Sequence, residues 1–149
     1  MWHPSLAAYE PVWGPQSVLI ELYQQVEGLM SIANAIQVSL THPHDPYTIE
    51  QKYWDLYDSV DIDLPKVTIA KEDQDPHSKR LLKVCDLWDQ DFSGEQIKRA
   101  RRAYYGAVSY VDDCIGKLLN VLKQCRLDEE TIVIFSGDHG DMLGERGLW

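Results

Sequence analysis

The chain has 149 residues, 44% of them hydrophobic and 26% charged, the length and apolar content of one compact domain rather than of a disordered segment. Fourteen Lys and Arg stand against 24 Asp and Glu, a net charge of -10, and so acidic a chain repels a phosphate backbone, which argues against nucleic acid as a partner. The longest apolar runs, Val18-Leu19-Ile20 and Ile132-Val133-Ile134-Phe135, fall far short of the ~20 residues that cross a bilayer, so no membrane span is expected.

Residues 1 to 15 hold Pro4, Pro11, Gly14 and Pro15 among aromatics, an irregular lead-in. Its first residues lack the basic and continuously apolar regions of a secretory leader. Ser17 is placed to cap a helix, and Leu19, Leu22, Tyr23, Val26, Leu29, Met30 and Ala33 recur at the three- and four-residue steps of one helix face. Ile36-Gln37-Val38-Ser39-Leu40 alternates apolar and polar, which predicts a strand running into a turn-rich loop that begins at His42. Residues 47 to 92, rich in aromatics and acids with little period, read as an excursion of short elements on the surface or substrate side.

Ser93 and Gln96 have capping-box spacing, and they open a long helix expected to end near Cys125-Arg126. Ile97, Ala100, Tyr104, Val108, Val111, Ile115, Leu118 and Leu122 make its apolar stripe. Lys98, Arg99, Arg101 and Arg102 on that helix read as a solvated face rather than an anion patch, and Asp112 and Asp113 as solvated or locally paired acids. Thr131 to Phe135 is a β-branched run short enough for a buried parallel strand. Helix followed by buried strand gives an α/β fold class, a mixed sheet flanked by helices.

Three cysteines, Cys85, Cys114 and Cys125, without CxxC spacing, suggest neither a disulfide framework nor a zinc site. They are expected to pack as small apolar groups in a reducing, cytoplasmic setting. Chemistry concentrates in two loops. In Ser136-Gly137-Asp138-His139-Gly140-Asp141, a Gly-flanked Asp138 and His139 offer a hard carboxylate oxygen beside an imidazole nitrogen, a mixed donor set for a divalent cation. The same residues read equally as a polar turn in which Asp138 caps backbone amides. In Thr41-His42-Pro43-His44-Asp45, a proline-stiffened loop would ready an imidazole to bind an anion or to protonate a leaving group, or would be a plain turn with exposed histidines.

Four stretches, taken together, carry a resemblance: Val38-Ser-Leu-Thr-His-Pro-His-Asp-Pro-Tyr47, Tyr53-Trp-Asp-Leu-Tyr57, Ala103-Tyr-Tyr-Gly-Ala-Val-Ser-Tyr-Val-Asp-Asp113, and Ile134-Phe-Ser-Gly-Asp-His-Gly-Asp-Met-Leu-Gly-Glu-Arg-Gly-Leu-Trp149. In order and spacing the chain resembles the choline-sulfatase branch of the sulfatase family, within the alkaline-phosphatase-like superfamily. The resemblance spans the chain from about Val38 onward and is weak over residues 1 to 35. It implies that residues 1 to 149 are part of a sulfatase catalytic domain, lacking the nucleophile-bearing N-terminal part and the C-terminal part.

The resemblance further implies metal-assisted hydrolysis of a sulfate monoester such as choline sulfate. Its cofactors would be a divalent cation, calcium first, then magnesium or manganese, and a formylglycine made from cysteine. Asp138 and His139 match the family's late metal-ligand pair, and His42 matches the histidine that contacts the sulfate and assists the leaving group. The full-length enzyme would be a cytoplasmic homo-oligomer.

The family's nucleophile pattern, Cys or Ser followed by x-Pro/Ala-x-Arg, is absent at all three cysteines, so none of them is the formylglycine and the chain alone is expected to be inactive. The alternatives are a phosphate or phosphonate ester hydrolase of the same superfamily, because similar ligands serve both tetrahedral anions, and a non-catalytic metal-binding or interaction module.

Overall fold

Ser93 and Gln96 close the open end of a helix on each other. In the computed structural model, which describes residues 36–149, the Ser93 Oγ accepts from the Gln96 backbone N–H at 3.3 Å and the Gln96 Oε1 accepts from the Ser93 N–H at 2.9 Å. That reciprocal pair satisfies donors the first turn would leave bare. Among the described residues the α-helices are α1, Gln51–Asp55, α2, Pro76–Val84, and α3, Gly94–Gln124, with single 3-10 turns at Lys71–Asp73 and Glu145–Gly147. The expected helix over Leu19 to Ala33 and the irregular lead-in lie outside the described residues.

α2 and α3 end in the same way. Arg126 takes φ 58°, its N–H donates to the Lys123 carbonyl, and the Leu127 N–H reaches back to the Leu122 carbonyl at 3.0 Å. Asp86, at φ 56°, repeats this with the Leu87 N–H on the Leu82 carbonyl at 2.7 Å. Both are six-to-one closures that usually use glycine at the left-handed position. The accompanying apolar contact is present at α2, where Leu82 and Leu87 share a buried cluster. Cys85 and Cys125 are the residues at these two caps, and both are exposed; Cys114, mid-helix, is fully buried. The expectation that all three cysteines pack in apolar surroundings holds for Cys114 alone, because a helix cap turns its side chain outward.

α3 is the scaffold. Its buried positions are Ala100, Arg101, Ala103, Gly106, Ala107 and Cys114, a run of mostly small residues that lets other backbone approach closely. The larger residues of the expected stripe are half-buried, and Val108 is exposed. α1 docks on the small face, with Ile49, Tyr53 and Ala107 buried together against Trp54 and Tyr110. At Gly106 an added Cβ would collide with the Ile49 side chain and stand 3.2 Å from the Tyr53 carbonyl oxygen; the glycine is there for close approach. The aromatic segment 53 to 57 is stitched to the same helix by Tyr53 Oη donating to Asp113 at 2.5 Å and Tyr57 Oη with Ser109 Oγ at 2.8 Å. Asp113 also pairs with Lys117 one turn on.

The basic cluster on α3 is only in part a solvated face. Lys98 reaches Asp61 from an exposed position. Arg102 donates to the Trp54 carbonyl, pairs with Asp58, and lays its guanidinium 4.2 Å over the Trp54 ring. Arg101 is buried outright. Three of the four cations therefore tie the segment before them to the helix, and the two arginines do so from sheltered positions with planar forks that an ammonium lacks.

No described residue lies in a β-strand. The expected strands at Ile36 to Leu40 and Thr131 to Phe135 are irregular, and Ile132, Val133, Ile134 and Phe135 are 88%, 55%, 86% and 73% exposed. The described part of the chain holds helices and loops, and the mixed sheet of the α/β expectation is not formed among these residues. The physical reason is that a strand, unlike a helix, satisfies its backbone only through a neighbour, and no described segment lies beside 131 to 135 to supply one.

Candidate functional site

The first site loop turns on Thr41, whose carbonyl accepts from the His44 N–H at 3.1 Å. His42-Pro43 and Asp45-Pro46 are cis, and the two imidazoles of the loop have different partners. His42 Nε2–H donates to the Thr48 carbonyl at 2.8 Å, and its ring rests on Tyr110 of α3 with centroids 4.9 Å apart. His44 turns the other way. Its Nδ1–H meets the Asp45 carbonyl at 2.6 Å and the Asp45 carboxylate at 3.0 Å. Its ring stands edge-on to His139, centroids 6.2 Å apart.

The second loop carries Asp138 and His139 next to one another. Asp138 Oδ1 accepts from the His139 backbone N–H at 3.0 Å, and its Oδ2 lies 3.6 Å from His139 Nε2. Both side chains are open to solvent, 91% and 61% exposed. The charges reinforce one another. The Asp45 carbonyl, then the Asp45 carboxylate, with Asp141 and Asp138 behind, hold the His44 imidazole above its ordinary value and so toward the protonated form. Backbone N–H groups at Asp138 and His139, then the nearby imidazoles, hold Asp138 below its ordinary value and so ionised.

The two loops meet through Tyr47, whose Oη donates to Asp141 Oδ2 at 2.8 Å across 94 positions of sequence. Tyr47 packs edge-on against Tyr104 of α3 at 5.5 Å. Burial first, and the Asp141 carboxylate second, push the Tyr47 phenol up, so it stays a donor at neutral pH.

Beyond Asp141 the chain is bolted down. Leu143, Gly144, Arg146 and Gly147 all take positive φ. The Glu145 carboxylate accepts from the Lys66 N–H at 3.0 Å and the Val67 N–H at 2.7 Å. Arg146 gives its N–H to the Val67 carbonyl and its guanidinium to Gln74 and Asp75, at 3.2 and 2.7 Å. The buried Gln74 returns a bond to the Arg146 carbonyl at 2.5 Å. Arg101 of α3 donates to the Leu143 carbonyl and to Asp63, both at 2.9 Å. Leu148 and Trp149 then close a second core with Leu82, Leu87, Trp88 and Phe92. At Gly144, φ 87°, an added Cβ would stand 2.9 Å from Pro65 Cγ, so the tight approach there needs glycine.

Glu145 gives this clamp a pH signature. The Val67 and then the Lys66 N–H hold its carboxyl below the ordinary 4.5. The folded state thus binds this proton less readily than the unfolded one, and the stability that results is present above the ordinary value and lost as pH falls through the folded one. Glu145→Gln is expected to flatten the acid limb of a denaturant-midpoint curve measured from about pH 6 to about pH 3, with the wild type falling more steeply. Parallel curves for the two proteins would contradict it.

His42, Asp138 and His139, the residues singled out in the sequence, are all on these loops, but the structure brings only His44 up to the Asp138-His139 pair. From sequence, His44 is weighed only within the His-x-His loop and Asp141 only within its Gly-flanked loop, and neither Tyr47 nor the Arg101, Glu145 and Arg146 clamp is given a site role. Asp138 and His139 suit a divalent cation in donor type and access. Among the described residues no group of three or more His, Cys, Asp or Glu converges as a metal site, so these residues supply at most part of a ligand set.

Comparison with known proteins adds the following. The family model described as Sulfatase matches residues 21–149, reaching further back than the motifs that begin at Val38. The chain is 46% identical over 115 residues to the choline-sulfatase of Rhizobium meliloti, covering 76% of this chain and 22% of the relative. It is 32% identical over 114 residues to the arylsulfatase of Clostridium perfringens, 74% and 22%. To the multifunctional alkaline phosphatase superfamily protein of Trinickia caryophylli it is 26% identical over 118 residues, 71% and 23%. The chain spans about a fifth of the length of these relatives.

Proposed function

Since this chain belongs to the sulfatase family, we propose that its two loops supply the leaving-group side and part of the cation site of an enzyme that hydrolyses sulfate monoesters, choline sulfate foremost. The observation that carries the reading is the meeting of His44 with Asp138 and His139 from loops nearly a hundred residues apart. The Asp45 carbonyl and then its carboxylate favour the protonated form of His44, and an imidazolium there can donate a proton to the ester oxygen as the S–O bond breaks. Asp138 and His139 would hold the cation, calcium before magnesium or manganese, which when bound stabilises charge on the sulfate oxygens.

Of the two imidazoles, His44 is the better supported as the acid that the resemblance gave to His42. His42 has its Nε2 engaged by a backbone carbonyl and its ring against Tyr110, which suits a residue that shapes the loop. The nucleophile is not among these residues, because Cys85, Cys114 and Cys125 all lack the x-Pro/Ala-x-Arg context. A cytoplasmic setting is part of the proposal, supported by three free thiols, as is a homo-oligomeric full-length enzyme. No helix among the described residues is long and apolar enough to cross a membrane.

The test grafts the matching 115 residues into the Rhizobium meliloti relative and follows sulfate release from choline sulfate. Turnover is expected, and it should exceed release of phosphate from a phosphate monoester; a folded graft with no sulfate release would overturn the reading. Preference for the phosphate ester would favour the second reading, which the superfamily relative of Trinickia caryophylli keeps open. The 149-residue chain by itself should release no sulfate with calcium, magnesium or manganese present.

A further inference from the structure

Nothing in the proposed chemistry accounts for Tyr47 and Asp141. Neither touches the reacting groups, yet they form the side-chain hydrogen bond that joins the two site loops, 2.8 Å long and partly buried. Each sits close in sequence to a proposed site residue: Tyr47 three positions after His44, Asp141 two after His139. The Tyr47 ring is itself braced on Tyr104 of α3, so the hydroxyl is aimed by a rigid element rather than by its loop. Asp141 continues into the clamp at residues 143 to 147, which is fixed to α3 and to residues 63 to 75. Both ends of the bond thus lie against α3, and the bond ties the two loops directly to one another there.

We propose that Tyr47 and Asp141 form a positioning pair, a strut that holds His44 at working distance from the Asp138-His139 pair. The inference rests on the site reading above. It differs from a merely stabilising contact in one respect: the helical scaffold and the two cores are made by other residues, so loss of the hydroxyl should loosen the gap between the loops while leaving the helices in place. Tyr47→Phe removes the donor and keeps the ring on Tyr104. Asp141→Asn keeps an acceptor oxygen and should preserve the strut.

The experiment uses the full 149-residue chain and two readouts. The first is the cross-relaxation between the His44 and His139 imidazole protons by NMR; the second is the affinity for manganese(II), followed by the loss of its free-ion EPR signal. Tyr47→Phe is expected to abolish the imidazole cross-peak and to weaken manganese binding roughly fivefold, the scale of one net hydrogen bond. Its helical circular dichroism should stay that of the wild type, and Asp141→Asn should stay close to wild type in both readouts.

A cross-peak that survives Tyr47→Phe overturns the strut, whatever the metal does. Manganese affinity unchanged by His139→Ala would instead remove the cation-site reading, and the cross-peak comparison would still decide the strut. Should Tyr47→Phe lose helical signal, the pair is structural and the proposal fails.

Discussion

In a graft that turns over sulfate esters, His44→Ala is expected to lower kcat/KM by about 10²–10⁴-fold, the range for losing a general acid, while His42→Ala costs less than about tenfold. The asymmetry follows from what each ring already does. His42 has spent its Nε2–H on the Thr48 carbonyl, so its replacement disturbs the loop; His44 bonds Asp45 through Nδ1, and its ring stands edge-on to His139. A substrate with a good leaving group should recover most of the His44→Ala loss, because it needs no proton, and should recover little of the His42→Ala loss. Equal losses for the two variants, or a larger loss for His42→Ala, would return the acid role to His42.

Arg101→Met should destabilise the folded chain by about 2–3 kcal/mol, the scale of losing charge-assisted hydrogen bonds from a buried donor. The Arg101 side chain is 7% exposed, and it joins Asp63 and the Leu143 carbonyl from the middle of α3. Asp63 is itself half exposed, so water screens the ion pair and the larger share of the effect belongs to the bond on Leu143. Arg101→Lys should rescue little, since one ammonium cannot reach two acceptors in a fork. A urea midpoint gives the magnitude, and hydrogen exchange at residues 143 to 149 gives the place. A shift below about 0.5 kcal/mol, the ordinary scatter of surface changes, would show that the clamp holds without Arg101.

How far the sequence foretold this arrangement depends on the range of the interactions involved. The long helix was legible because its signals are local: Ser93 and Gln96 lie three positions apart, and the end near Cys125-Arg126 coincides with a closure made by residues 122 to 127. The run Thr131 to Phe135 has strand chemistry, but pairing is non-local and the described residues give it no neighbour, so it stays irregular. The face of α3 was misjudged for a different reason. Large apolar residues dominate a periodicity count, whereas the contact with α1 needed small ones, Gly106 and Ala107.

For the site, residue type was legible and direction was not. The loops bearing His42, His44, Asp138 and His139 stood out by composition, but which imidazole faces the Asp-His pair is decided by Thr48 and Tyr110 on one side and Asp45 on the other. Likewise nothing in the string Lys98-Arg99-Ala100-Arg101-Arg102 marks which cations turn inward. That depends on carbonyls at Trp54 and Leu143, more than forty positions away.

The 94 positions between Tyr47 and Asp141 also have a meaning in time. At ribosomal rates of about 5–20 residues per second, the histidine loop leaves the synthesis machinery roughly 5–20 s before its partner does. Helices such as α3 can form within microseconds of emerging, so the scaffold is ready first and the tyrosine waits, its ring already seated on Tyr104. A nascent chain arrested before Asp141 would carry a finished helix and an unmet hydroxyl.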